Sequence, residues 1–446
     1  MSISELGAPL EGFPPETFQE RRTRVLEALG EDVLVLPGAP VRFSSRDTEY
    51  PYRSSSELFY LTGAREPGTV AVLRGHAEEE RYVLFVQPRD PKAELWTGPR
   101  LGPEAARERY GADAAHPLEE LEAKLPGLIA GAGLVHHRLG EDDRVERLVR
   151  SALREARARG PRTGSGPRGV MDPGGLLDDL RVHKDGLELE RMRRAAAITV
   201  DTFREALPAA RPGVGEWELQ ALVDASFRRA GADGPAYLTI VASGSNACVL
   251  HYVENSRVVA AGDLVLLDAG AAVSMYASDI TRTFPVAGSF TPEQRDVYQV
   301  VEAARARAVE AVRPGATVEE VHGAAVGTLT EGLVALGVLS GAAERLMEEK
   351  EHEAFYPHRT SHWLGLDVHD VGDYARGGAS RALEPGMVLT IEPGLYFAPG
   401  HAKTPARFAG IGVRIEDDVL VTAGGREVLT GALPTAPDDI EALVRG

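Results

Sequence analysis

The chain has 446 residues, 43% of them hydrophobic, and a formal net charge of −18. That is enough chain for two or three domains with ample core, and the negative balance argues against a nucleic-acid partner, which needs a basic face. No apolar run approaches the ~20 residues of a membrane helix, Met1–Glu20 lacks the basic-then-apolar order of a signal peptide, and the one cysteine, Cys248, excludes an internal disulfide, which fits a reducing compartment such as the cytoplasm.

In chain order, residues 18–30 read as a helix with Val25, Leu26 and Leu29 on one side, followed by a buried strand Val33–Pro37. Phe59–Gly63, Thr69–Leu73 and Tyr82–Val86 read as further strands between Gly, Pro and charged turns. Helical stretches near 103–110, 117–125 and 142–158 alternate with them, as in a small α/β domain. Arg159–Pro167 reads as turn and linker, so the N-terminal domain is expected at 1–172 and a C-terminal domain at 173–446.

The second part holds an internal repeat. A helix from about Leu187 to Leu207 stops at Arg211-Pro212-Gly213, and another starts near Glu216. Thr291, with Pro292 at the first helical position and Gln294 completing a capping box, opens a long helix with Val297, Val300, Val301, Ala304 and Ala308 on one face. It stops at Arg313-Pro314-Gly315, and Thr317 with Glu320 caps the next helix. Helix, Arg-Pro-Gly, helix, then strands occurs twice, so a site at the junction would draw groups from both halves.

The residues with chemistry lie at that junction. Leu264–Asp268 is an apolar strand ending in a carboxylate, and Asp279 follows after a return through Ala271–Ser278. Met387–Glu392 ends likewise in an acid, and Gly412–Leu420 places Glu416 inside a strand, two residues from Arg414 and on its face. Between these pairs stand His358, His362 and His369. Alone, each acid reads as an exposed strand-end residue. Together, buried carboxylates demand a cation or a proton. Oxygen ligands with one imidazole suit Mn²⁺, Co²⁺, Fe²⁺ or Zn²⁺. His136, His137, His352 and His401 read as structural, and His251 stands isolated.

Asp268-Ala269-Gly270, Asp279, His362–Gly372, Thr390–Tyr396 and Val413–Asp417 closely resemble the aminopeptidase P family, the proline-specific branch of the pita-bread metallopeptidases. Asp47–Arg53, Phe59–Gly63 and Trp96–Arg100 extend the likeness into the N-terminal part. The resemblance implies an α/β (α+β) architecture: a small N-terminal α/β domain, then a pita-bread catalytic domain with a pseudo-two-fold repeat. It implies a hydrolase that releases the first residue from peptides with proline second. Asp268, Asp279, His362, Glu392 and Glu416 fall on the metal-ligand positions for two divalent ions, usually Mn²⁺, with Asp279 and Glu416 shared between them. Glu392 also handles the proton, and His251, His358, His369 and Arg414 assist. Tyr396 lies near the pocket, and Trp96 matches a position that closes a neighbouring subunit's site in a homodimer or homotetramer. Glu57 and Arg359 depart from the pattern.

Other readings stay open at this stage. A prolidase acting on Xaa-Pro dipeptides needs a grip for the substrate carboxylate, for which Arg359, Arg376, Arg381 and Arg407 are candidates. A non-catalytic scaffold on the same fold, or a metal-free creatinase, loses metal ligands, whereas all five are present here.

Overall fold

The computed structural model describes residues 12–446 except Ser165. The leader reading of the first eleven residues, and Ser165 of the linker reading, lie outside the described residues. One compact unit closes at Leu180, and a second runs from Arg181 to Gly446. The first includes residues 173–180, which begin the helix Gly174–Val182. Among the described residues no helix is long and apolar enough to cross a membrane.

The N-terminal unit is built on a six-stranded sheet in the order Ala114–Pro117, Tyr82–Val86, Val70–Arg74, Val33–Pro37, Val135–His136, Val170–Met171. Strands Val33–Pro37 and Tyr82–Val86 are buried throughout. Helices Leu121–Ile129 and Asp143–Thr163 pack Leu121, Leu125, Ile129, Val145 and Val149 against Val33, Val35, Val72 and Phe85.

Two expectations fail here. Phe59–Gly63, read as a strand, is the end of a helix, Ser56–Thr62. Ser55 caps it by accepting from the Leu58 N–H at 3.3 Å, and Gly63 closes it with φ +72°. A five-residue apolar run carries no usable period, so the flanking serine and glycine decide the outcome. Arg159–Thr163, read as linker, continues the Asp143–Thr163 helix. Proline at 161 removes only one donor close to the helix end, where few backbone bonds remain to be lost.

The C-terminal unit repeats one plan. Helices Gly186–Ala209 and Glu216–Arg229 precede an antiparallel sheet of Ile240–Ser243, Leu264–Ala269 and Ile280–Pro285. Helices Pro292–Ala311 and Val318–Ala335 precede one of Val388–Ile391, Asp417–Thr422 and Gly425–Val428. Capping boxes at Thr291 and Thr317 form as the sequence predicts, and Asp185 with Glu188 adds a third.

The two Arg-Pro-Gly turns are tied identically. The Gly213 N–H donates to the Val259 carbonyl (2.8 Å) and the Val259 N–H to that of Val214 (2.9 Å). In the second half the Gly315 N–H donates to Leu383 (2.8 Å) and the Leu383 N–H to Ala316 (2.7 Å). Both glycines have positive φ, +93° and +83°, as such turns require.

The sheet edges deliver the acids. Asp268 pairs in register with Thr281, and the chain returns through a hairpin that pairs Ala272 with Ala277. That return needs Gly270, where an added Cβ would stand 1.7 Å from the Ser278 carbonyl oxygen. Glu416 departs from expectation: it lies between strands, Gly412–Arg414 and Asp417–Thr422. The first pairs with Gly394–Tyr396 and the second with Val388–Ile391. At the junction the Ile415 N–H reaches the Pro393 carbonyl at 3.4 Å, Pro393 has no N–H to return a bond, and the Glu416 N–H goes to the Thr281 carbonyl at 3.0 Å. The break therefore ties the second half to the first at the level of the acids.

Candidate active site

Five segments converge on one cluster. Tyr237 is seated between Asp268 and Asp279, its hydroxyl 2.5 Å from Asp268 Oδ1 and in hydrogen-bond contact with Asp279 Oδ1. Burial first, and then the two carboxylate charges, drive its pKa well above the ordinary 10, so it keeps its proton. Arg414 grips Asp268 Oδ2, donates from Nε to Thr281 Oγ1 (3.1 Å), and reaches the Tyr396 hydroxyl (3.2 Å). Thr281 in turn donates to Glu416 Oε2 at 2.6 Å. Arg414 and Glu416 thus share a face as expected, but Arg414's charge partner is Asp268 and a threonine hydroxyl links it to Glu416.

His362 is held by its backbone on Thr390, whose hydroxyl accepts its N–H at 3.1 Å. Its Nδ1 lies 3.0 Å from the Trp363 carbonyl, so Nδ1 carries a proton and Nε2 faces the acids. Nε2 stands 3.5 Å from Asp279 Oδ2 and 3.6 Å from Glu392 Oε1. Burial pulls its pKa down, but the Asp279 contact and the Glu392 charge win and hold it at about 9. The Glu392 backbone is fixed by a bond from its N–H to the Thr360 carbonyl at 2.9 Å. Ligand atoms of Asp279, His362 and Glu416 all fall within 4.8 Å of one another.

The electrostatics of this cluster call for a cation. Burial pushes the carboxyls of Asp268 and Glu416 above their ordinary values and Glu392 up to about 7, and neighbouring carboxylates push in the same direction. Against these four carboxylates stands the Arg414 guanidinium, paired with Asp268. Four carboxylates and one imidazole, crowded and short of positive charge, fit divalent metal in chemistry as well as in position.

The cluster forms the floor of a cavity of about 880 Å³. Leu238, Ile240, Leu250, Val253, Val318 and Val368 supply apolar lining. His251, His358 and His369 line it too. His369 packs edge-on against His362 with ring centres 4.4 Å apart. His358 contacts the Tyr396 hydroxyl through Nε2 (2.9 Å), and burial drops its pKa to about 3, so it is neutral. The structure brings together every sequence-predicted site residue of the C-terminal unit. Trp96 lies in the N-terminal unit on the helix Pro91–Thr97 and is 86% exposed.

Several contributors escape sequence reasoning. Tyr237 lies in a turn-like Gly-Pro-Ala-Tyr stretch with no periodic signal. Thr281 reads as an ordinary strand residue. Asp418, whose carboxylate accepts from the Asp279 N–H (3.1 Å) and the Ser278 hydroxyl (2.7 Å), stands beside Glu416 and Asp417 in the sequence, where nothing sets it apart from its acidic neighbours.

Comparison with known proteins bears on this geometry. Residues 190–423 match the model of metallopeptidase family M24, and residues 18–136 match the aminopeptidase P N-terminal domain. The Xaa-Pro aminopeptidase of Escherichia coli K12 is 42% identical, over 96% of this chain and 97% of its own. The chain belongs to the aminopeptidase P branch of metallopeptidase family M24. An aminopeptidase structure from Pseudomonas aeruginosa superposes on this M24 chain with a TM-score of 0.94 at 42% identity, covering 98% of this chain and 99% of that one. A zinc-substituted E. coli aminopeptidase P in complex with product matches with a TM-score of 0.93, again at 42% identity, covering 97% and 99%. As an M24 metallopeptidase the protein is a hydrolase, and Asp279, His362 and Glu416 form a group that could hold a metal ion.

Proposed function

We propose that this enzyme releases the N-terminal residue from peptides whose second residue is proline, using two divalent ions, Mn²⁺ by preference, in the cytoplasm. The observation that carries the reading is the convergence of Asp268, Asp279, His362, Glu392 and Glu416 on the floor of an apolar-walled cavity. These five residues would hold the ions. When bound, the ions supply Lewis-acid polarisation and a nucleophilic water at neutral pH.

The chain's own groups do the rest. Glu392 takes the proton of the attacking water and delivers it to the nitrogen of the leaving proline. His251 donates to the oxygen that gains charge at the scissile carbonyl. His358 and His369 bind the substrate's polar groups, with Arg414 and Tyr396 holding the acids and His358 in place. The substrate's free amine is drawn to the acidic floor, which limits cleavage to the chain end. Proline's tertiary amide offers no N–H, and the lining of Leu238, Leu250, Val253 and Val368 accepts its ring without asking for one.

The prolidase alternative needs a free cation for the dipeptide carboxylate. Arg359 lines the cavity but is paired with Glu319, which favours longer peptides. We assign the enzyme to a homodimer or homotetramer, supported by Leu95 and Trp96, both more than four-fifths exposed on one short helix. Hydrolysis of a matched Xaa-Pro-Yaa and Xaa-Pro pair by Mn²⁺-loaded enzyme, with an EDTA control, is the test. Release of free Xaa from the tripeptide alone is expected; preference for the dipeptide would make the enzyme a prolidase.

A further inference from the structure

We infer that Glu216 is a positioning residue for this reaction, its buried carboxylate setting the 243–257 segment so that His251 faces the cavity. This rests on the reading that His251 acts on the substrate.

Glu216 is the first residue of the helix Glu216–Arg229 and is fully buried. Its Oε1 accepts from the Ser243 N–H (2.7 Å), the Ser243 hydroxyl (2.7 Å) and the Asn246 amide (3.1 Å). Its Oε2 accepts from the Tyr252 hydroxyl (2.8 Å) and the Arg257 N–H (2.8 Å). A carboxylate offers about four lone-pair sites, so these donors saturate it, and all of them come from residues 243–257. The Glu216 N–H closes the arrangement on the Arg257 carbonyl at 2.9 Å. Both ends and the middle of the segment are thereby tied to one group.

The middle tie has a direction. Tyr252 turns inward among Ile240, Ala242, Leu266 and Tyr396, while its neighbours His251 and Val253 are exposed and line the cavity. Fixing the Tyr252 hydroxyl therefore fixes which way His251 points.

The acid is not needed to start the helix. Bridges pair Gly215 with Val258 in the first half and Thr317 with Ala382 in the second, which makes Val318 the counterpart of Glu216. The second helix starts there with valine in place of the acid. A buried carboxylate is costly even with its hydrogen bonds and the Arg257 charge nearby, and what it secures in the first half only is the histidine-bearing segment.

The test measures kcat/KM for Xaa-Pro-Yaa on full-length, metal-loaded enzyme carrying His251→Ala, Glu216→Gln, and both, with melting temperature and metal content recorded for each. His251→Ala should lower kcat/KM by roughly 100-fold and Glu216→Gln by roughly 10-fold. The double variant should be no worse than His251→Ala, because Glu216 acts through that histidine. Tyr252→Phe, which removes a single donor, should give a smaller loss that also vanishes in the His251→Ala background, and it serves if Glu216→Gln does not fold. If His251→Ala leaves turnover intact, the reading of His251 fails and the inference with it. If His251→Ala is impaired but Glu216→Gln and Tyr252→Phe are not, or if their losses multiply with it, Glu216 is a structural residue only and the inference is overturned.

Discussion

The Nδ1 of His362 lies 3.0 Å from the Trp363 carbonyl oxygen, and this contact selects the ring nitrogen that faces the acids. An asparagine places its amide near Nδ1, whereas a glutamine reaches the position of Nε2. His362→Asn should therefore lose metal affinity by at least about 10- to 100-fold, and His362→Gln should retain more of it. Titration calorimetry on metal-free protein separates the two; equal losses would mean that Nε2 is not the ligand atom.

Glu392 differs from the other acids in its setting. Its side chain is the most exposed of the four, 18%, and it follows its strand rather than lying within one. That leaves it open to the water and substrate it must serve. Glu392→Gln should keep the fold, judged by circular dichroism and melting, and lose about 100- to 10,000-fold in kcat. Unchanged turnover would remove it from the proton path.

Much of this site was legible because Asp268 and Glu392 close apolar runs and stand in one pattern with Asp279, Glu416 and the histidines, although no acid alone marks it. The repeat was legible for a similar reason: Arg-Pro-Gly stops and capping boxes are local signals that tertiary packing rarely overrides. The break at Glu416 was not legible, because it depends on which segments pair through the fold, Gly412–Arg414 with Gly394–Tyr396 and Asp417–Thr422 with Val388–Ile391. Tyr237 and Glu216 were hidden because the partners of their side chains lie 27 to 42 residues away, and nothing periodic marks them. Phe59–Gly63 misled because its punctuation, Ser55 and Gly63, was outweighed by its apolar content.

Removing metal should destabilise the C-terminal unit, since the acids then face one another with Arg414 as their contacting guanidinium. With metal at about 100 times its dissociation constant, the lost linkage amounts to about 2.7 kcal/mol. For a unit of this size that corresponds to a fall in Tm of roughly 5–10 °C. Calorimetry with and without EDTA gives the shift, and an unchanged Tm would mean that the cluster does not bind metal in the folded state.

Thr281 is the hinge between Arg414 and Glu416, accepting from one and donating to the other. Thr281→Val keeps the shape and strands both partners. The expected cost is about 1–3 kcal/mol in denaturant unfolding, with metal affinity reduced about 10-fold. Loss of stability with full metal affinity would confine Thr281 to the core.

His322 sets a pH limit from outside the metal cluster. Its Nδ1 contacts the Thr360 hydroxyl at 2.7 Å, and its surroundings include Arg359, Glu319 and His352. Burial, with help from Arg359 and His352 and against Glu319, lowers its pKa to about 4. In the unfolded chain histidine titrates near 6.5. Between these values the unfolded state holds a proton that the folded state refuses, so stability falls as pH drops below about 6.5 and the full loss is present by about 4. At about 1.4 kcal/mol per unit the loss is at most about 3 kcal/mol. The acids of the metal cluster also titrate, so the quantity to measure is the difference between wild type and His322→Gln, both metal-loaded. Wild type should lose stability relative to the variant from pH 6.5 to 4 and run parallel to it above 7; parallel curves throughout would mean that His322 protonates as freely in the fold as in the open chain.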